Sequence, residues 1–148
     1  MTDDRRIDGT LPVAFRYTPG LGNGAFFASL RDEGTFVGSR CSSCDVTYLP
    51  ARVFCERCLA ELRPDTTCGP GGTLTSWTTL HVDVDDEPLP APERYGLVRL
   101  DGADTVLLHR LLPEDGWDPA IGDRVVPVLR SDREGRIGDL EGFSRAAG

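Results

Sequence analysis

Lysine is missing from this 148-residue chain: all sixteen basic residues are arginine, against 24 acidic ones, for a formal charge of −8. That absence removes Schiff-base chemistry and any phosphate-loop lysine. The negative balance argues against non-specific nucleic-acid binding, whose affinity comes from neutralising phosphates. Long apolar runs are missing too. No window approaches the roughly 18 uncharged apolar residues of a spanning helix. The opening Met1-Thr2-Asp3-Asp4-Arg5-Arg6 leads into no apolar stretch, so neither a membrane span nor a secretory signal is expected. Histidine is scarce: His81 and His109 fall in expected strands, and no nucleophile motif such as G-x-S-x-G accompanies them. The acidic run Asp83, Asp85, Asp86, Glu87 lacks the spacing of a calcium loop and reads as a solvated turn. Five cysteines are too few, and odd in number, for a disulfide scaffold. The class is an acidic, turn-rich globular protein expected in the cytoplasm.

Four of the cysteines are placed in a telling way. Cys41, Cys44, Cys55 and Cys58 form two C-x-x-C pairs with ten residues between them. Such pairs present thiolates as two hairpin-like knuckles whose backbone N–H groups point at the sulfurs. Four soft ligands in a tetrahedron suit zinc, and a site with no open position is structural. Iron of the rubredoxin kind takes the same ligands, and the spacing leaves that alternative open. A redox pair of the thioredoxin kind needs a C-x-x-C at a helix N-terminus after a strand, and neither pair has that context. Cys68 stands apart and reads as a buried small residue.

The punctuation of the chain predicts a mainly β protein in three parts. Residues 1–34 hold an N-terminal arm and a short amphipathic helix after Asn23, the expected N-cap, with Gly34 as its stop. Phe26, Phe27 and Leu30 share one face of that helix and, with Phe15 and Tyr17 of the arm, are expected to need a partner's surface. Residues 35–70 carry the cysteines as a rubredoxin-like zinc ribbon, closed by Gly69-Pro70-Gly71-Gly72. In 71–148 the period becomes two, with Leu74, Leu80, Val82 and Val84 expected on one face of a first strand. Further strands are expected over 95–100, 106–112, 125–129 and 136–140, joined by turns such as Asp101-Gly102. Five short strands point to an OB-fold barrel, and an SH3-like barrel fits the pattern as well.

In combination, these motifs resemble a known family. The helix with Phe26-Phe27 and Leu30 precedes one C-x-x-C, and Leu49-Pro50-Ala51-Arg52-Val53-Phe54 leads into the next. Gly72, Ser76, Trp77 and Thr78 open the barrel, and Ile121-Gly122-Asp123-Arg124-Val125 and Phe143 follow. This is similar to the acyl-CoA-associated zinc-ribbon/OB-fold proteins. Where that family often has glycine after each knuckle, this chain has Asp45 and Leu59. Leucine tolerates left-handed backbone poorly, so the second knuckle is expected to turn differently. Glu56 also replaces the family's usual proline.

The resemblance implies a non-catalytic accessory subunit of a thiolase-superfamily enzyme: a thiolase, an acyltransferase, or a thiolase-like aldolase of steroid or fatty-acid side-chain breakdown. It implies one structural zinc per chain, a docking surface on ribbon and helix, and a barrel beside the acyl-CoA path. Arg52 is then the expected contact for a phosphate or a partner carboxylate, since bidentate anion recognition favours arginine. Trp77 and Tyr95 either flank an acyl or adenine surface or pack ordinarily in the barrel. The alternatives are a nucleic-acid-binding zinc-ribbon/OB-fold protein, which the charge opposes, and an independent hydrolase, which lacks a nucleophile–base pair.

Overall fold

The computed structural model describes residues 17–147; Phe15 lies outside them. Helix α1 (Gly20–Asp32) begins earlier than expected, with Pro19 as N-cap and Asn23 already inside the helix. It ends where the sequence points, at Gly34 with φ +69°, a left-handed turn that glycine adopts without steric cost. Phe26 and Leu30, four residues apart and so one above the other on a helix, are both fully buried. They pack with Phe36 and Leu49 of the ribbon and with Leu74, Val98 and Phe143 of the barrel in a single cluster. This corrects their expected place on a docking face. The ribbon alone is too small to cover the helix, but the barrel supplies the missing cover, so these side chains have no surface to offer a partner. Phe27 is half-buried against the same cluster, whereas Tyr17 is 85% exposed.

Strand β1 (Phe36–Cys41) lies between β2 (Val46–Tyr48) and β3 (Thr66–Cys68), antiparallel to both. Strand β3 was not anticipated, and it places Cys68 in the shared core. Two side chains just after the Asp101-Gly102 turn of the barrel fasten this sheet to it. The Thr47 N–H donates to Asp104 Oδ2 (2.8 Å), and the Leu49 N–H donates to Thr105 Oγ1 (2.7 Å), which donates back to the Leu49 carbonyl (2.8 Å). Helix α1 meets the ribbon at Gly22, where a Cβ would collide with the Ala51 carbonyl.

The remaining strands are β4 (Gly72–Val82), β5 (Pro88–Leu100), β6 (Leu107–Leu111), β7 (Arg124–Leu129) and β8 (Leu140–Arg145). They close in the order β4-β5-β6-β8-β7, with β7 returning to β4 and only β6–β8 parallel. This is an OB-fold barrel. The expected apolar face of β4 fails after Leu74. A bulge between Leu74 and Ser76 inserts one residue and switches which side chains turn inward. Leu74 is buried, while Leu80 is 41% and Val84 98% exposed.

The last strand is also displaced from 136–140. Asp139 is fully buried, and its carboxylate accepts the N–H groups of Glu134, Gly135 and Arg136 at 2.7–3.1 Å. That folds the segment into a turn and a 3₁₀ helix (Ile137–Asp139) before β8 begins. Between β6 and β7 the chain is irregular, and Trp117 fills the barrel end with its Nε1–H donating to Asp123 Oδ2 (2.8 Å). No helix among the described residues is long and apolar enough to cross a membrane.

Candidate metal centre

Cys41 ends β1, and the chain turns through Asp45 at φ +51° into β2. The second pair sits in a loop pinned by Cys55 N–H to the Ala60 carbonyl (2.9 Å) and Leu59 N–H to the Cys55 carbonyl (3.0 Å). Leu59 adopts φ +60°. This corrects the expectation that leucine would make the second knuckle turn differently: both knuckles use the left-handed turn, and leucine bears a steric cost of about 1–2 kcal/mol to do so. The N–H groups of Ser43 and Cys44 serve the Cys41 sulfur, and those of Arg57 and Cys58 the Cys55 sulfur.

The four Sγ atoms lie within 4.8 Å of one another, and Cys41 and Cys58 are 3.6 Å apart. A tetrahedron with metal–sulfur bonds of about 2.3 Å has edges near ~3.8 Å, so the donor set fits a closed four-coordinate site. Cys41 and Cys55 are buried, Cys44 is half-buried and Cys58 exposed. Cys55 is pulled down to about 6, first by the Tyr48 hydroxyl and then by the amides of its knuckle. Cys44 is pushed up to about 12, first by its hydrogen bond with Cys58, then by burial and the neighbouring thiols. Four crowded sulfurs cannot all carry charge unaided, and a divalent cation resolves that conflict.

Sequence reasoning missed Tyr48. Its ring is fully buried beside the knuckles and its hydroxyl lies 3.4 Å from Cys55 Sγ. A lone aromatic with a polar tip between two cysteine pairs was the available signal. Arg52 stands with it: the guanidinium lies 4.9 Å from the Tyr48 ring centroid and donates to Glu56 Oε2 (2.6 Å). Arg52 also lines an open groove with Pro19, Leu21 and Phe54.

The other expected ligand residues do not join it. Trp77 pairs with Gly96 and Tyr95 with Thr78, so the two aromatics stand on opposite faces of the sheet and flank no common surface. Trp77 packs on the core and carries the Arg94 guanidinium at 5.9 Å. Tyr95 donates to Glu93 Oε2 at 3.1 Å outside the barrel. A cavity of about 880 Å³ at the barrel mouth is lined by Thr79, His81, Arg94, Arg110 and Trp117 among others.

The ChsH2 rubredoxin-like zinc ribbon domain matches residues 28–63, and the ChsH2 C-terminal OB-fold domain matches residues 66–130. The chain belongs to the ChsH2 family. Among solved structures it is similar to a DUF35-family protein of unknown function from Sulfolobus solfataricus, at 20% identity and a TM-score of 0.67, over 86% of this chain and 87% of that one. It is also similar to a chain of the Ltp2-ChsH2(DUF35) aldolase, at 22% identity and a TM-score of 0.63, over 89% of this chain and 100% of that one. These likenesses establish the fold. No curated protein matched the sequence.

Proposed function

We propose that the chain is a cytoplasmic, non-catalytic accessory subunit that binds a thiolase-like enzyme acting on acyl-CoA, stabilises it and helps close its acyl-CoA tunnel. Membership of the ChsH2 family supports this, as does the likeness to a chain of an aldolase complex. Zinc is the proposed metal, one per chain, held by Cys41, Cys44, Cys55 and Cys58 in a purely structural role.

The observation that carries the docking part is the apolar rim beside the metal centre. Leu21 is 81% and Phe54 58% exposed, and both line the groove that holds Arg52. Two large exposed apolar side chains flanking one groove support reading this rim as an interaction surface. Arg52 is the proposed contact there for a partner carboxylate or a CoA phosphate, and Tyr17 and the half-buried Phe27 are proposed as further partner contacts away from the groove. Trp77 and Tyr95 remain proposals for the barrel's side of the acyl-CoA path, each on its own face.

The test is co-expression with a thiolase-like enzyme encoded beside this chain, followed by gel filtration and assay. The two should co-elute, and Phe54→Asp should abolish co-elution and activity together while leaving the metal content unchanged. The aspartate belongs at Phe54 rather than Phe26, because at a fully buried position it would unfold the chain. Separate elution, with an enzyme equally active alone, would sink the reading.

A further inference from the structure

We infer that Tyr48 and Arg52 form an outer layer of the metal centre that governs how tightly the four cysteines hold their ion. The inference rests on the metal reading above and adds two residues that the cysteine spacing does not point to.

A divalent ion with four thiolates carries a net charge of about −2, and donors placed around the sulfurs are what make such a site comfortable in a protein interior. The backbone supplies four such N–H groups, all from the knuckles themselves. Tyr48 is the side chain that adds another. The Tyr48 hydroxyl carries one proton that it can donate. Cys55 Sγ, 3.4 Å away, has no proton of its own when it ligates a metal and can only accept. The direction of the hydrogen bond is therefore fixed: Tyr48 donates to Cys55.

Arg52 acts through Tyr48. Its guanidinium lies 4.9 Å from the ring centroid, within the range of a cation–π interaction. A cation on the ring face draws electron density from the phenol and makes its O–H a better donor. The backbone holds Arg52 there, because its N–H donates to Ser39 Oγ (2.8 Å), a fully buried side chain. Glu56 fixes the other end at 2.6 Å. Both are positioning residues: neither offers the metal a ligand atom.

The experiment uses the full chain loaded with zinc, and separately with cobalt(II), whose sulfur-to-metal charge-transfer band reports on the thiolates. In competition with a chromophoric chelator, Tyr48→Phe should weaken zinc binding by about tenfold. Its cobalt band should move to longer wavelength, because a sulfur relieved of a hydrogen bond gives up its electrons more readily. Arg52→Met should move both readouts in the same direction by less, and Arg52→Lys should restore them towards the wild type. If Tyr48→Phe cannot fold, the half-exposed Arg52 pair carries the test. Affinities within twofold of the wild type and an unmoved band in both variants overturn the inference. A band that shifts in Tyr48→Phe alone overturns the role of Arg52. A wild-type chain that takes up no metal at all overturns the metal reading beneath it, which is a different result.

Discussion

Asp139 carries a carboxylate into the core, and among the described residues no cation makes a hydrogen bond to it. Burial works against its charge, and the N–H groups of Glu134, Gly135 and Arg136 more than offset that, leaving the group below its ordinary value. A depressed carboxylate contributes stability that is present above the unfolded value of about 3.9. That contribution is lost as pH falls through the still lower folded value. Asp139→Asn should therefore destabilise the chain at pH 7 by about 3 kcal/mol, since an amide accepts fewer of those hydrogen bonds and turns an N–H toward donors. Urea unfolding at pH 7 and at pH 3 checks this: the gap between variant and parent should narrow on acidification, and equal midpoints at pH 7 would refute it. Nothing in the sequence marks Asp139 among 24 acidic residues, because its role depends on a turn that forms around it. The cysteines are the opposite case. Their spacing alone encodes the site, since two knuckles are local structures that need no distant partner to be recognised.

Among the elements, α1, the ribbon and the five barrel strands were foreseeable from punctuation and period, and the misreadings came from local departures from that period. The bulge between Leu74 and Ser76 resets the alternation of β4, so Leu80 and Val82 look like core residues in the sequence and lie outside the barrel. Strand β5 extends back to Pro88, through prolines that read as loop. Gly96 lies opposite Trp77 on the inner face, and a Cβ there would sit 2.6 Å from Leu74 Cδ1 and 2.9 Å from Leu111 Cδ2. Its conformation is ordinary; the space is what demands glycine. Gly96→Val should cost about 1–3 kcal/mol through overpacking, despite valine's better strand propensity. A denaturation midpoint at or above that of the parent would show that the barrel has slack that these distances deny.

At the scale of the molecule, the ribbon and the barrel share their core. Phe26, Leu30, Phe36, Leu49 and Cys68 belong to the same buried cluster as Leu74, Val98, Leu100, Val125 and Phe143. Backbone and side-chain hydrogen bonds from Thr47 and Leu49 to Asp104 and Thr105 cross the same seam. The sequence suggests a break at Gly69-Pro70-Gly71-Gly72, and dividing the chain at 34/35 and 70/71 is a proposal about modules. The shared cluster bears on whether those modules fold alone. Fully burying a side chain such as phenylalanine or leucine is worth about 1.5–3 kcal/mol, and four such residues of the helix and ribbon cover the barrel. That sum rivals the entire stability of a domain, about 5–15 kcal/mol. A fragment of residues 71–148 should therefore fail to give a cooperative thermal transition, while the whole chain gives a single one. Removing the metal with a chelator should lower that one transition for ribbon and barrel together, because structural metal binding contributes folding free energy directly. Calorimetry with and without chelator, alongside tryptophan fluorescence, which reports on Trp77 and Trp117 and hence only on the barrel, decides the matter. Barrel fluorescence that ignores chelation would mean that the shared core is thermodynamically divisible.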